Sequence, residues 1–326
     1  KFSYFGILLL TISTFAFSKI NSITFLFIAI LLMRFSGQGM MSHTASTTIS
    51  RYFSSTRGKA LSTGWFGLST AEFLMPVTII YALTIMDWRN IWIIISVSII
   101  LFLPLVSYFL VKEVKLSSRE DDNEVIKENI KQWKRSEVIK DYRFIIIALN
   151  MLAMPWIATG IFVYQSFILS AKNWGEYTIA QSFMVYSIAS VLTLFVAGYL
   201  IDKFSSRKLL IYMNIPFLIS LLILIYFQSP VSSFFFLGLI GVSNGFANVL
   251  GSSTWAELYG VRFIGSIKAL TTALMVFSTA FGTAFFGLMI DFDFSIEQIS
   301  MISGGYILIS LILLFLIKNK LNPTIL

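Results

Sequence analysis

Gly198-Tyr-Leu-Ile-Asp202-Lys203-Phe-Ser-Ser-Arg207-Lys208 decides how this chain folds. An apolar run over about 178–201 leads into it and another over about 208–227 leads out. Each run is long enough to cross a hydrocarbon core of roughly 30 Å. Between them stand one carboxylate and three cations, so the reversal lies in water or among headgroups and the flanking runs are antiparallel neighbours. Inside lipid such runs have to be helices, because a lipid-exposed backbone must satisfy its own hydrogen bonds.

The same plan occurs twice, 207 residues apart. Lys1 falls on Lys208, Ser36 on Ser243, Ser46-Thr47 on Ser253-Thr254 and Gly58 on Gly265. Identity is sparse; the succession of spans and turns carries the repeat. Two spans, 144–169 and 178–201, precede Lys208, and none precedes Lys1. The chain therefore reads as a duplicated membrane protein entered at the third helix of its first copy, and duplicated halves are characteristic of secondary transporters.

Composition agrees. Hydrophobic residues make up 57% of the chain and charged residues 12%, about half the usual charged share of a soluble domain. Mean hydropathy is +0.83. Cysteine is absent, which removes disulfides and thiolate metal sites. No Walker motif, nucleophile elbow, Asp-rich metal cluster or signal peptide is visible, so the chain is not expected to be an enzyme, to hold a metal or to need a cofactor.

Ten spans are expected: about 2–18, 23–45, 61–83, 91–111, 144–169, 178–201, 208–227, 232–255, 268–290 and 298–317. With Lys1 in the cytoplasm, Lys19, Arg89 and Lys172 lie outside and Arg34 lies within the bilayer, leaving 20 of the 24 Lys and Arg residues on the cytoplasmic side. That asymmetry is the positive-inside rule, so the net charge of +8 orients the protein and does not point to nucleic acid. Three parts follow: a partial N-terminal bundle over 1–111, a cytoplasmic linker over 112–143 and a six-helix bundle over 144–326. The linker carries nine basic and eight acidic side chains, and Val125, Ile126, Ile130 and Trp133 recur in it at helical spacing. This predicts an amphipathic helix on the cytoplasmic surface.

The opening stretch resembles the loop signature G-x-L-x-D-[RK]-x-x-x-[RK]-[RK] of the major facilitator superfamily. The resemblance extends over the whole chain. It implies an all-α, twelve-helix transporter of which helices three to twelve are present, arranged as two pseudo-symmetric bundles. It also implies that Gly198, Asp202, Lys203, Arg207 and Lys208 form a gating loop. A carboxylate such as Asp202 can cap the positive N-terminus of a neighbouring helix, and in the family that contact latches one conformation. Arg34-Phe-Ser-Gly37 is similar to the intramembrane arginine motif of the family's fourth helix. Leu68-Ser-Thr-Ala-Glu72-Phe-Leu-Met-Pro76 departs from the antiporter signature of the fifth, which disfavours a drug antiporter. Residues 51–60 and 88–92 are similar to stretches in the monocarboxylate and oxalate/formate branches.

Charges at depth are few and therefore informative. Arg34 lies 11 residues after Ile23, roughly 16 Å into the bilayer at about 1.5 Å per residue. Glu72 lies 11 residues after Leu61 on the next, antiparallel span and reaches the same depth. A central Arg costs roughly 2.5–3.5 kcal/mol on insertion scales, so a partner or a wet cavity is expected. Either the two form a structural ion pair, or Arg34 receives an anionic substrate and Glu72 exchanges a proton. Gln38 shares Arg34's face at i+4 spacing. Asn244, Asn248, Ser252 and Trp255 make a polar stripe on a helix that lines the cavity in this fold, or else bond to neighbouring helices. Trp156, Tyr164 and Gln165 are candidate contacts around Pro155, which would kink its helix. Lys268 reads as an interfacial anchor and His43 as a packing residue. Gly37, Gly39, Gly64, Gly67, Gly282, Gly287, Gly304 and Gly305 read as close-packing positions.

These readings point to a proton-coupled carrier of a small organic anion in a bacterial inner membrane, monomeric, with loop and C-terminus cytoplasmic. Its partners would be its solute and the bilayer, not nucleic acid, and a proton gradient would drive it. A carrier of a neutral, zwitterionic or drug-like solute, and a non-cycling transporter-like receptor, are the competing expectations.

Overall fold

A computed structural model describes residues 2–53, 56–112 and 130–324. Its regular elements are helices: α1 Phe2–Ser18, α2 Ile23–Met33, α3 Ser42–Tyr52, α4 Arg57–Ile85, α5 Trp88–Lys112, α6 Arg135–Val138, α7 Tyr142–Ala153, α8 Thr159–Val163, α9 Gln165–Lys172, α10 Glu176–Phe204, α11 Ser206–Met213, α12 Ile215–Tyr226, α13 Ser232–Tyr259, α14 Ile264–Asp291 and α15 Ile296–Ile317. Two π-helical turns, Arg34–Met41 and Met154–Ala158, join α2 to α3 and α7 to α8. Among the described residues, eight helical stretches are long and apolar enough to cross a membrane. Their exposed faces carry large apolar side chains such as Ile23, Phe27, Phe277 and Leu316, each more than two-thirds exposed. In water that surface would be ruinous; against acyl chains it is the expected exterior.

The contacts divide the chain into two compact units, one of residues 1–48 with 71–128 and one of 49–70 with 129–326. In the first, α1 packs along α5 and against the α2–π-helix segment. Small hydroxyls allow the close approach: Ser13 and Ser36, both fully buried, meet at 3.3 Å, and Ser96 Oγ donates to the carbonyl of Thr11 at 2.9 Å. Phe17 packs against Trp92 in a tilted pair with centroids 4.5 Å apart.

The most extensive packing in the second unit is between α10 and α13. Gly241 and Gly245 make it possible: an added Cβ at either would sit 2.3 Å from the carbonyl oxygen of Tyr186 or 2.6 Å from that of Ser190. Small residues at such crossings are how membrane helices gain contact where lipid supplies no hydrophobic drive. Gly282 behaves alike against the Trp156 carbonyl, at 2.0 Å, whereas Gly67 and Gly305 have nothing within 4 Å. The close-packing reading therefore fails for those two.

The amphipathic helix expected in the linker falls mainly outside the described residues. Where it enters them it is not helical. Lys131 N donates to the carbonyl of Thr324 at 2.8 Å and Trp133 N to that of Tyr259 at 3.0 Å, so the segment 130–134 runs extended along the end of α13 and the C-terminal tail. Backbone donors engaged elsewhere cannot serve a helix. Gly260, at φ +79°, leaves the room that Gln132 fills, its amide oxygen 2.3 Å from where a Cβ would stand. Arg143 completes the junction, with Nε 2.9 Å from Asp141 Oδ2 and Nη1 2.9 Å from the carbonyl of Asn322.

Candidate functional site

At the start of α4 the backbone is almost bare. A Cβ on Gly58 would lie 2.2 Å from the carbonyl oxygen of Gly198 on α10, and one on Gly198 would lie 2.6 Å from Ser62 Oγ. This glycine-to-glycine crossing brings the last turn of α10 to the N-terminus of α4. There Asp202 Oδ1 accepts from Gly58 N at 2.7 Å and Oδ2 from Lys59 N at 3.0 Å. Helix N-termini present orphan amide donors and partial positive charge, so a carboxylate is the matching cap.

The rest of the loop does something different. Glu257, near the end of α13, accepts from Ser206 N at 2.8 Å and from the hydroxyls of Ser205 and Ser206, and pairs with Arg207 Nε at 3.0 Å. It thus caps α11 while neutralising the loop arginine. Lys203 is exposed beside the Tyr199 and Phe204 rings, and Lys208 is exposed. Sequence reasoning missed Glu257. The available signal was a lone carboxylate closing an apolar span that ends on the basic face.

Arg34 opens the π-helical turn, and its Nη1 donates to Gln38 Oε1 at 3.1 Å. The two expected to share a face do meet, but through wider-pitched backbone, and both side chains are exposed. π turns inside α-helices mark functional segments often enough to merit notice. Glu72 lies in α4 with its side chain outside the described residues.

In the second unit the candidates scatter. Asn244 Nδ2 donates to Ser190 Oγ at 3.0 Å, a bond between helices. Asn248 is half-buried. Ser252 Oγ accepts from Lys268 Nζ at 3.1 Å, and Lys268 is only 4% exposed, so the lysine is buried and is not the interfacial anchor expected. Its early position in α14 suggested an interface; packing against α13 encloses it. Trp255 leaves the polar stripe for the core, stacked on Tyr259 and beside Phe144. Trp156, in the second π turn, is buried among Phe281, Phe285 and Tyr306 at 5.2–5.7 Å. Pro155 sits in that same turn, where its missing N–H removes one backbone hydrogen bond from the continuous helix. Tyr164 interrupts the helix between α8 and α9, its hydroxyl against Gly287, and Gln165 is exposed. Trp156, Tyr164 and Gln165 do not converge on one surface.

The sequence model described as Major Facilitator Superfamily matches residues 1–283 and, again, 145–324. The chain belongs to that superfamily. A superfamily member of solved structure, the proton:xylose symporter XylE bound to 6-bromo-6-deoxy-D-glucose, matches with a TM-score of 0.69 at 16% identity. The match covers 98% of this chain and 81% of that one. No curated protein sequence matches significantly. At that identity the likeness shows the fold, and the superfamily fold is that of a multi-pass secondary transporter. A branch within the superfamily does not follow from these matches.

Proposed function

We propose that the chain carries a small organic anion, coupled to protons, by alternating access. The observation that supports this reading is Arg34. Its guanidinium has five N–H donors, and among the described residues its hydrogen-bond partner is one neutral amide, Gln38. A planar fork with donors to spare, set mid-span, suits a carboxylate bound through two parallel bonds. Glu72, on the neighbouring span of the sequence, is the proposed proton carrier. Asn244, Asn248, Ser252, Trp156, Tyr164 and Gln165 are the proposed contributions of the second half. The loop Gly198, Asp202, Lys203, Arg207 and Lys208 is the proposed gate, with Asp202 on the α4 N-terminus as its latch.

Helices α1 and α4 would bring the eight membrane stretches to ten. The basic loops favour a linker and C-terminus in the cytoplasm of a bacterium, with the protein working as a monomer. A second reading, transport of a neutral sugar-like solute, is favoured by the likeness to XylE, a proton:xylose symporter, and by the amides Gln38 and Asn244.

Uptake into proteoliposomes decides between them. An inside-alkaline pH gradient should drive accumulation of labelled lactate or acetate and not of xylose, and Arg34→Gln should abolish it. Glu72→Gln should abolish gradient-driven uptake yet spare exchange of internal for external anion. Gradient-driven xylose uptake with no anion flux would replace the first reading by the second. Equal loss of both modes in Glu72→Gln, rescued by adding Arg34→Gln, would make the pair structural.

A further inference from the structure

At the lysine-rich end of the second unit a cavity of about 480 Å³ opens between α11 and the foot of α15. Three cations border it, Arg207, Lys208 and Lys318, and no carboxylate is among its lining side chains. Their commitments differ. Arg207 is engaged: Nε faces Glu257 at 3.0 Å, and Nη1 donates to Asn322 Oδ1 at 3.0 Å and to the Leu321 carbonyl at 3.2 Å. It builds the wall by tying the C-terminal tail to the loop. Lys208 and Lys318 have no ion pair or hydrogen bond among the described residues, and Lys318 Nζ rests 3.7 Å above the Phe315 ring.

The other side of the cavity is apolar. Tyr212 and Phe315 line it and are 58% and 55% exposed. Both belong to stretches long and apolar enough to cross a membrane, so their outward faces lie at the acyl boundary. A tyrosine ring such as that of Tyr212 settles at the headgroup level, and the apolar Phe315 ring beside it suits the upper acyl chain. A ligand that uses the whole site must therefore be an anion attached to a hydrophobic body. A free phosphate would engage the two ammonium groups and leave both rings idle.

We propose that this cavity binds the phosphodiester headgroup of an anionic glycerophospholipid, with Lys208 and Lys318 on the phosphate and Tyr212 and Phe315 along the glycerol and upper chains. Basic pockets between membrane helices are suited to anionic headgroups, and each cation at such a surface adds a modest increment. The site is independent of the solute carried. It would tether α11, the loop and the tail to one leaflet, beside the cap that Glu257 places on α11.

Native mass spectrometry of the full-length chain tests this, with phosphatidylglycerol and phosphatidylcholine of identical chains titrated separately. The unmodified protein should retain phosphatidylglycerol in clear preference, a comparison that needs no variant. Lys208→Gln with Lys318→Gln should weaken phosphatidylglycerol about thirtyfold, the loss expected for two surface cations. Lys208→Arg with Lys318→Arg should keep the preference. Equal retention of the two lipids, or undiminished phosphatidylglycerol binding in the double Gln variant, overturns the proposal. Displacement of phosphatidylglycerol by millimolar inorganic phosphate also overturns it, by making the cavity a site for soluble phosphate.

Discussion

Asp202 caps the helix that begins at Arg57: its two carboxylate oxygens take the amide protons of Gly58 and Lys59 at 2.7 and 3.0 Å. Four residues earlier, Gly198 lets the two backbones touch. The glycine crossing supplies proximity and the carboxylate supplies specificity, and the two should respond differently to substitution.

Gly58→Ala places a methyl group 2.2 Å from the Gly198 carbonyl oxygen, so the helices must spread. Overpacking of this sort costs about 1–3 kcal/mol. The melting temperature in detergent should fall for Gly58→Ala and for Gly198→Ala, and less than additively for the pair, since both widen one contact. Gly67→Ala on the same helix meets nothing within 4 Å and should leave melting unchanged or raise it.

Asp202→Ala leaves two amide donors without their charged acceptor, each such bond being worth about 1.5–3 kcal/mol. Because the chain has no cysteine, a single reporter thiol can be read without background. Ser62 is 2% exposed beside Gly198. Ser62→Cys should react slowly with a maleimide, and about tenfold faster or more once Asp202→Ala is added, a shift of ~1.4 kcal/mol in opening. Asp202→Asn, which keeps one acceptor, should fall between.

Among the described residues, Lys268 is an enclosed amine whose hydrogen-bond partner is a serine hydroxyl and whose charged neighbour is Arg57, of the same sign as its protonated form. Buried charge without a counter-charge costs stability, and an apolar residue of similar volume removes that cost. Lys268→Met should therefore raise the melting temperature, while Lys268→Ala, which leaves a cavity, should not. A lower melting temperature for the Met variant would mean that the ammonium is better compensated than its neighbours indicate.

Glu137 lies outside the membrane stretches. The ammonium of Lys131, and then the backbone N–H of Lys134, hold its carboxyl below the usual 4.5. A folded value below the unfolded one means a contribution present above about pH 4.5 and lost as pH falls through the folded value. Amide exchange at Glu137 and Val138, corrected for intrinsic rates, should quicken on acidification below that point. Glu137→Gln should show the quicker exchange at neutral pH and no further acid response.

Much of the architecture was legible because lipid imposes a one-dimensional rule: apolar runs of fixed length, broken by charges that stay on one side. Asp202 was legible as a helix cap from its place at the end of a span. Its partners were not, because Gly58 and Lys59 are 144 and 143 residues away and no local pattern links them. The π turns at Arg34 and Met154 were hidden for a related reason: Gly37, Gly39 and Pro155 signal a weakened helix without saying that it widens. Trp255 was misassigned because periodicity fixes which residues share a face, and Lys268 because a place near a helix start suggests an interface, while in both cases the neighbouring helix decides what is buried.

The strand-like run over 130–134 grips the second bundle at Tyr259 and Arg262, through Trp133 N and Gln132 Oε1, before the chain enters α7. Any displacement of residues 130–134 is thus felt at the end of α13 and at the tail by Thr324. Gly260 is where a side chain would break that grip, because Gln132 occupies the space a Cβ would need and the backbone there stands at φ +79°.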